Sequence, residues 1–341
     1  MNYLISVIIP CYNAELTLKR AIESIIIQDI GFDNIELILY DDSSADNTRN
    51  IIEKYSEDYN NIIAIYSNVN YGPGKAKDEC LKIATGKYIM FLDADDEFNK
   101  TMCQSLLNEI NNGVDVVSCN YESIDEISSK IRYTRTDLGT RQNNKLVLNN
   151  DELIYFPSFM IWNKMFKRDI IIKNNITFTN LRNGEDELFL KKYYLHSKKL
   201  VYLMNYCGVK HYAINDSISH SQNIDDLFIL LELCKQIISL YENRGGVNNS
   251  LLVKHRIRML FQNLYLTNVL SDNSRDELYR FFDSLRYFEE EISFNSSLGL
   301  IYDILNFFIM HRYFEIVILC SKLLLSLRRS NFITKLFRRV S

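Results

Sequence analysis

The chain reads as an α/β protein, with a mostly parallel sheet flanked by helices in its first third and a helical module at its end. Short β-branched apolar runs alternate with helix-period segments from Ser6 to Cys119, and the strand-like runs give way to polar loops. From Asp225 onward, apolar residues recur only at helical spacing. Strands alternating with helices need crossover connections, so the loops after successive strands converge on one sheet edge.

Ser6-Val7-Ile8-Ile9-Pro10 is the first strand, followed by Cys11-Tyr12-Asn13 and a helix with Leu16, Leu18, Ala21, Ile22, Ile25 and Ile26 as its apolar positions. Ile35 to Tyr40 is the second strand, Asp41-Asp42-Ser43-Ser44 a loop of capping residues, and Ala45 to Tyr55 a helix turning Ile51, Ile52 and Tyr55 inward. Ile62 to Tyr66 makes a third strand, Asn70 to Gly74 a tight loop and Lys75 to Ala84 another helix. Gly86 to Leu92 is a buried strand, and Asp115 to Cys119 closes the set. Asn13, Asp41, Asp42, Lys75, Lys77, Asp93 and Asp95 are then expected to face one cleft.

The fourth strand ends in Asp93-Ala94-Asp95-Asp96. Carboxylates crowded at a strand end repel unless a cation sits between them, and a hard divalent cation so held keeps positions open for phosphate oxygens. The plainer reading is a cap for the helix expected near Asn99 or Lys100.

Tyr121 to Asn150 is polar and reads as an excursion at the sheet edge. Leu153 to His220 mixes short strands with a helix around Glu185 to His196, and helices are expected over about 227–241, 251–269, 275–287 and 296–327. The expected division is an α/β subdomain over 1–120, an acceptor-side part over 121–222 and the helical module over 223–341. With 341 residues and 47% hydrophobic content the chain can bury a full-sized core, and three prolines and eleven glycines argue against disorder. Seven cysteines without a C-x-x-C pair or a Cys/His cluster argue against zinc and a disulfide framework. The start Met1-Asn2-Tyr3-Leu4 leads directly into the first strand, so no signal peptide and a cytoplasmic site are expected. A net charge of -4 does not suggest a nucleic-acid partner.

The segments Val7-Ile8-Ile9-Pro10-Cys11-Tyr12-Asn13, Asp41-Asp42-Ser43-Ser44, Gly72-Pro73-Gly74, Thr85-Gly86-Lys87-Tyr88, Asp93-Ala94-Asp95-Asp96, Trp162-Asn163-Lys164, Glu185-Asp186 and Ser217-Ile218-Ser219 follow one another in order. In these the chain resembles the inverting family 2 glycosyltransferases with the GT-A fold, in particular bacterial enzymes that decorate wall teichoic acids or capsules. The resemblance implies a UDP-sugar donor carrying N-acetylglucosamine, glucose or galactose, and a hydroxyl acceptor on a cell-surface polysaccharide or lipid-linked glycan.

By the same resemblance Asp95 binds Mn²⁺ or Mg²⁺ and Asp93 lies near the ribose or the metal. Pro10, Tyr12 and Asn13 match the segment lining the uracil pocket, and Asp41 or Asp42 accepts the uracil N3 proton. Lys77 stands where the family commonly has Arg, implying a role on uracil or phosphate. Asp186 matches the base, with Glu185 orienting the acceptor or supporting the base, while Trp162, Asn163 and Lys164 match a motif beside donor sugar and acceptor. Ser217 and Ser219 belong to a loop that closes over the pyrophosphate; His211 or His220 would supply a metal or phosphate contact, and Tyr212 stands where Arg is frequent. Each has a plainer reading: turn and cap for Asp41 and Asp42, a solvated helix face for Lys77, a dipole-favoured surface for Glu185 and Asp186, core packing for Trp162. A sugar nucleotidyltransferase and a non-catalytic carbohydrate-binding or scaffold protein are the alternatives on such a fold. The first lacks its glycine-rich loop here, and the carboxylates at 93, 95 and 186 argue against the second.

After Glu315 no acid remains, and Lys322, Arg328, Arg329, Lys335, Arg338 and Arg339 lie among leucines and phenylalanines. The stretch 316–341 reads either as a basic amphipathic tail on the inner membrane face or as a helix packed on its own domain or a second copy of the chain.

Overall fold

The computed structural model describes residues 3–111, 113–126, 128, 130–135, 145–149, 152–153, 159–181, 184–213, 224–241 and 275–285. The chain divides into two compact units, residues 1–217 and 218–341.

In the first unit β1 (Ile5–Cys11), β2 (Ile35–Asp41), β3 (Ile62–Tyr66) and β4 (Tyr88–Phe91) run parallel, in the spatial order β3-β2-β1-β4. The helices α1 (Leu18–Ile26), α2 (Thr48–Asp58) and α3 (Pro73–Ile83) connect them, so β1, β2 and β4 end at the same edge. Side chains alternate across the strands. Val7, Ile9, Leu37, Leu39 and Met90 join Leu18 and Ile22 in one core; Ile8, Ile38 and Phe91 join Ala76 and Cys80 in another on the opposite face.

Leu16, expected to face inward, is 89% exposed. The first turn is set by the Ala14 carbonyl, which accepts from the Thr17 and Leu18 amides, and Leu16 projects outward ahead of the helix. Helix α2 starts at Thr48 rather than Ala45 because the intervening residues are taken up in loop contacts described below.

The next strand in sequence does not lie beside β4. The short β5 (Glu97–Phe98) and α4 (Met102–Ile110) lead to β6 (Val116–Asp125), and between β4 and β6 sits β9 (Lys164–Lys167), antiparallel to both. The expected polar excursion contains strands: β6 continues to Asp125, β7 (Ile131–Arg135) pairs with it, and β8 (Lys145–Asn149) pairs with β10 (Lys199–Ala213). In β8 the alternation is plain, with Leu146 and Leu148 half-buried between exposed neighbours. Strand β10 runs parallel to β6 and carries β5 along its far portion, with register shifts between Leu203 and Val209. After β9, α5 (Arg168–Lys173) leads to α6 (Glu185–Leu195). Phe91, Phe166, Phe178 and Phe189 pack beneath α6, the last two stacked at 4.3 Å.

In the second unit α7 (Ile224–Tyr241) and α8 (Arg275–Leu285) are described, joined by an edge-to-face contact of Phe228 and Phe281. Ser217, Ser219, His220, the expected helices over 251–269 and 296–327 and the tail 316–341 lie outside the described residues. No described helix is long and apolar enough to cross a membrane.

Candidate functional site

Beyond β4 the chain turns sharply, the Asp96 amide donating to the Asp93 carbonyl at 3.1 Å. One carboxylate oxygen from each of Asp93, Asp95 and Asp96 lies within 4.8 Å of the others. Burial is the main reason the Asp93 pKa rises to about 7; Asp95 and Asp186 add to it and Lys77 opposes it. Burial also raises Asp95 to about 6, with the Asp96 charge contributing. Asp96 is fully buried, and its carboxylate accepts the Tyr212 amide at 3.0 Å and lies 3.0 Å from His211 Nδ1. Burial disfavours a charged His211, but the Asp96 bond and nearby carboxylates outweigh it and hold the ring pKa above its usual value. With Nδ1 against Asp96, Nε2 is the His211 nitrogen that could meet a cation. Three hard oxygen donors in carboxylate form suit a divalent cation such as Mn²⁺ or Mg²⁺.

The second acidic pair opens α6. Gly184, at φ 88°, turns the chain through the left-handed region, placing Glu185 and Asp186 in the first helical turn where the dipole favours carboxylates. Lys77 Nζ in α3 lies 2.5 Å from Asp186 Oδ1 and 3.4 Å from Glu185 Oε1, its side chain only 3% exposed. The solvated helix face is thus excluded for Lys77. Burial opposes its charge, yet Asp186, Glu185 and Asp93 hold its pKa above the ordinary lysine value. Burial raises Glu185, against the pull of Lys77. The close approach of α3 to α6 depends on Gly74, where a Cβ would stand 2.8 Å from the Thr179 carbonyl oxygen and 3.3 Å from Glu185 Cγ.

The β1–α1 and β2–α2 loops are stitched together. The Asn13 amide donates to Ser44 Oγ and Asn13 Oδ1 accepts the Ala45 amide; the Ala14 amide donates to Thr48 Oγ1 and the Glu15 amide to Asp46. Asn13 and Ser43 adopt positive φ, 49° and 66°. Pro10 is half-buried at the end of β1, and Tyr12 is 52% exposed at the same edge. Asp41 and Asp42 are both buried. Asp41 accepts the Ser44 amide, whereas Asp42 accepts the Tyr71 and Gly72 amides at 2.9 and 2.7 Å, anchoring the β3–α3 loop. Both oxygens of Asp42 therefore already carry backbone bonds.

Trp162 is 6% exposed, stacked on the His211 ring at 5.6 Å and edge-on to Tyr121 at 4.8 Å. Asn163 and Lys164, matched from sequence to a sugar-side motif, are fully buried. Asn163 donates to the Cys119 carbonyl, and Lys164 Nζ donates to Asn163 Oδ1 and the Met160 carbonyl. Asn163 thereby ties the start of β9 to β6.

Asp96, Tyr121 and Arg20 were not singled out from sequence. Asp96 had a signal, being next to the acidic pair. Arg20 had none: it is one arginine in α1, yet it donates to the Asp95 carbonyl at 2.6 Å and to both Glu126 oxygens at 2.9 and 3.2 Å. Its guanidinium lies 3.6 Å from the Tyr212 ring centroid, so Tyr212 is a stacking partner at this position. A groove of about 1000 Å³ beside Arg20 is lined by Lys19, Glu23, Ile27, Tyr55, Phe98 and Lys210, and it does not include the acidic turn or Asp186.

Residues 6–172 match the Glycosyl transferase family 2 model. The Minor teichoic acid biosynthesis protein GgaB of Bacillus subtilis is 45% identical over 120 residues, covering 34% of this chain and 13% of GgaB. A Poly(ribitol-phosphate) beta-glucosyltransferase of Bacillus spizizenii is 29% identical over 202 residues, 58% of this chain and 30% of that protein. The chain thus spans well under two thirds of these relatives. The crystal structure of S. aureus TarS 1-349 in complex with UDP-GlcNAc superposes with a TM-score of 0.73 at 20% identity, covering 96% of this chain and 92% of that one. The motifs, the acidic turn at the end of a parallel strand and these likenesses agree: residues 6–172 form a glycosyl transferase family 2 domain, on the GT-A fold of the TarS structure.

Proposed function

We propose that the protein is a metal-dependent inverting glycosyltransferase, moving N-acetylglucosamine, glucose or galactose from a UDP-sugar to a hydroxyl of a cell-surface polysaccharide or lipid-linked glycan. One observation carries the reading: the buried Lys77 pairs with Asp186 and Glu185 at the start of α6 and feels the charge of Asp93 in the acidic turn, which brings the two carboxylate groups to one site. Inversion needs charge neutralisation on the leaving-group side and a base on the other. Asp93 and Asp95 hold the cation, with His211 Nε2 as a further donor; bound there, it would offset the charge of the departing diphosphate.

Asp186 takes the acceptor proton as the new bond forms. Lys77 fixes its carboxylate from α3, and the same ammonium holds Glu185 beside it. Tyr12 offers a flat face to the uracil, and Asp41 or Asp42 accepts its N3 hydrogen bond; Asp41, with a backbone amide on one oxygen where Asp42 has them on both, is the less engaged of the two. Trp162 backs the His211 ring on the sugar side of the site. The UDP-GlcNAc complex of TarS and the teichoic acid relatives support this donor and acceptor class.

The test is a transfer and donor-hydrolysis panel of UDP-, GDP- and TDP-sugars with Mn²⁺, Mg²⁺ or EDTA, on wild type and Asp95→Ala. Turnover of a UDP-sugar that needs metal and Asp95 is expected. Wild-type transfer by Asp95→Ala in EDTA would remove the metal role, and no turnover of any donor would favour a binding protein.

A further inference from the structure

The turn that carries the acidic group is held on three sides. The Leu92 amide bonds to the Ile8 carbonyl of β1, and the Asp96 carboxylate is gripped by His211 and the Tyr212 amide of β10. Asp95 lies between these anchors, and its own backbone is held by Arg20, which reaches its carbonyl from α1 at 2.6 Å. Arg20 is itself fixed. Glu126, past the end of β6, takes both terminal nitrogens; Glu97 lies 3.6 Å from Nε; and the Tyr212 ring covers the guanidinium face while its hydroxyl donates to Glu97 at 2.8 Å.

We infer that Arg20 is a positioning residue for the cation site, fixing the backbone of Asp95, and so the aim of its carboxylate, through a clasp with Glu126 and Tyr212. The inference rests on the assignment of Asp93 and Asp95 to a cation. The geometry requires arginine. A planar fork bonds Glu126 with two nitrogens, shares one of them with a carbonyl and stacks on a ring at the same time; an ammonium does not. The two carboxylates beside it balance its charge, so it does not simply oppose a cation bound at Asp95. Groups that orient a ligand residue from behind typically change metal affinity by about ten- to a hundredfold when removed.

The experiment titrates Mn²⁺ into the full chain, with and without UDP, and follows free Mn²⁺ by electron paramagnetic resonance. Transfer is measured over the same Mn²⁺ range. Arg20→Gln is expected to weaken Mn²⁺ binding about tenfold or more. Turnover at saturating Mn²⁺ should stay within about threefold of wild type, so excess metal rescues the variant. Arg20→Lys and Glu126→Gln should show smaller shifts in the same direction, and they carry the test if Arg20→Gln does not fold. Variants with native circular dichroism and unchanged Mn²⁺ affinity overturn the inference, as does a loss of activity that excess Mn²⁺ does not restore. Asp95→Asn separates the two readings. If it abolishes Mn²⁺ binding while the Arg20 variants bind normally, only the clasp is wrong; if it too binds normally, the cation assignment falls and the clasp with it.

Discussion

Replacing Lys77 by Met removes the one cation among the described residues that faces Asp186 and Glu185, at 2.5 and 3.4 Å, and the loss can be sized from burial. The three side chains are 3%, 22% and 12% exposed, so two largely enclosed carboxylates would remain without their partner. Breaking a buried pair from one side typically costs about 3–5 kcal/mol, and the partial exposure of Asp186 argues for the lower end. For a unit of 217 residues about 3 kcal/mol corresponds to a fall in melting midpoint of roughly 6–12 °C. Thermal melts at pH 7.5 would read this directly. Lys173→Met is the control, since that pair with Asp169 is 73% and 58% exposed and should move the midpoint by less than about 2 °C. Lys77→Met/Asp186→Asn should recover part of the loss, because an amide needs no cation. A Lys77→Met midpoint within about 2 °C of wild type would refute the reasoning.

Asp186→Asn should keep UDP affinity while lowering turnover by about a hundredfold or more, the usual worth of a general base; weak UDP binding with normal turnover would instead put Asp186 in the donor pocket. The acidic turn should link metal binding to pH. Asp93 and Asp95 rise from 3.8 to about 7 and about 6 in the folded protein. The folded state then binds protons more tightly than the unfolded chain between about pH 4 and 7, and the site's contribution to stability falls as pH rises through that window. Mn²⁺ takes the protons' place, so its gain in melting temperature should be larger at pH 7.5 than at pH 5; equal gains would count against it. Gly74→Ala, whose Cβ would meet the Thr179 oxygen at 2.8 Å, should destabilise by about 1–3 kcal/mol and reduce transfer by displacing α6. Wild-type melting and turnover would show that the helices separate easily.

The parallel half of the sheet was legible because β1 and β2 are buried on both faces and so appear as short, mainly apolar runs bounded by polar loops. Strands β8 and β9 were not. β8 alternates Leu146 and Leu148 with polar or exposed neighbours over a short span, and β9 begins and ends in lysine. The buried Lys164 is supported by hydrogen bonds to Asn163 and the Met160 carbonyl, and a local pattern does not carry that information. The acidic turn and the Glu185-Asp186 pair were readable from strand-end placement and resemblance together. Arg20 was not, since its partners Asp95 and Glu126 lie 75 and 106 residues further along the chain.

The cross-stitching of the β1–α1 and β2–α2 loops has a consequence for any attempt to re-engineer this domain. Asn13 with Ser44 and Ala45, Ala14 with Thr48, and Glu15 with Asp46 and Asn47 form a reciprocal set, each loop supplying the other's backbone partners. Substitutions across such a set are not additive: a first change leaves partners stranded in the opposite loop, and a second there has a different effect from the one it has alone. The two loops are therefore inherited as one cassette. A graft from a related domain has to carry residues 11–15 and 41–48 together, and a single-loop exchange is expected to lose folding stability.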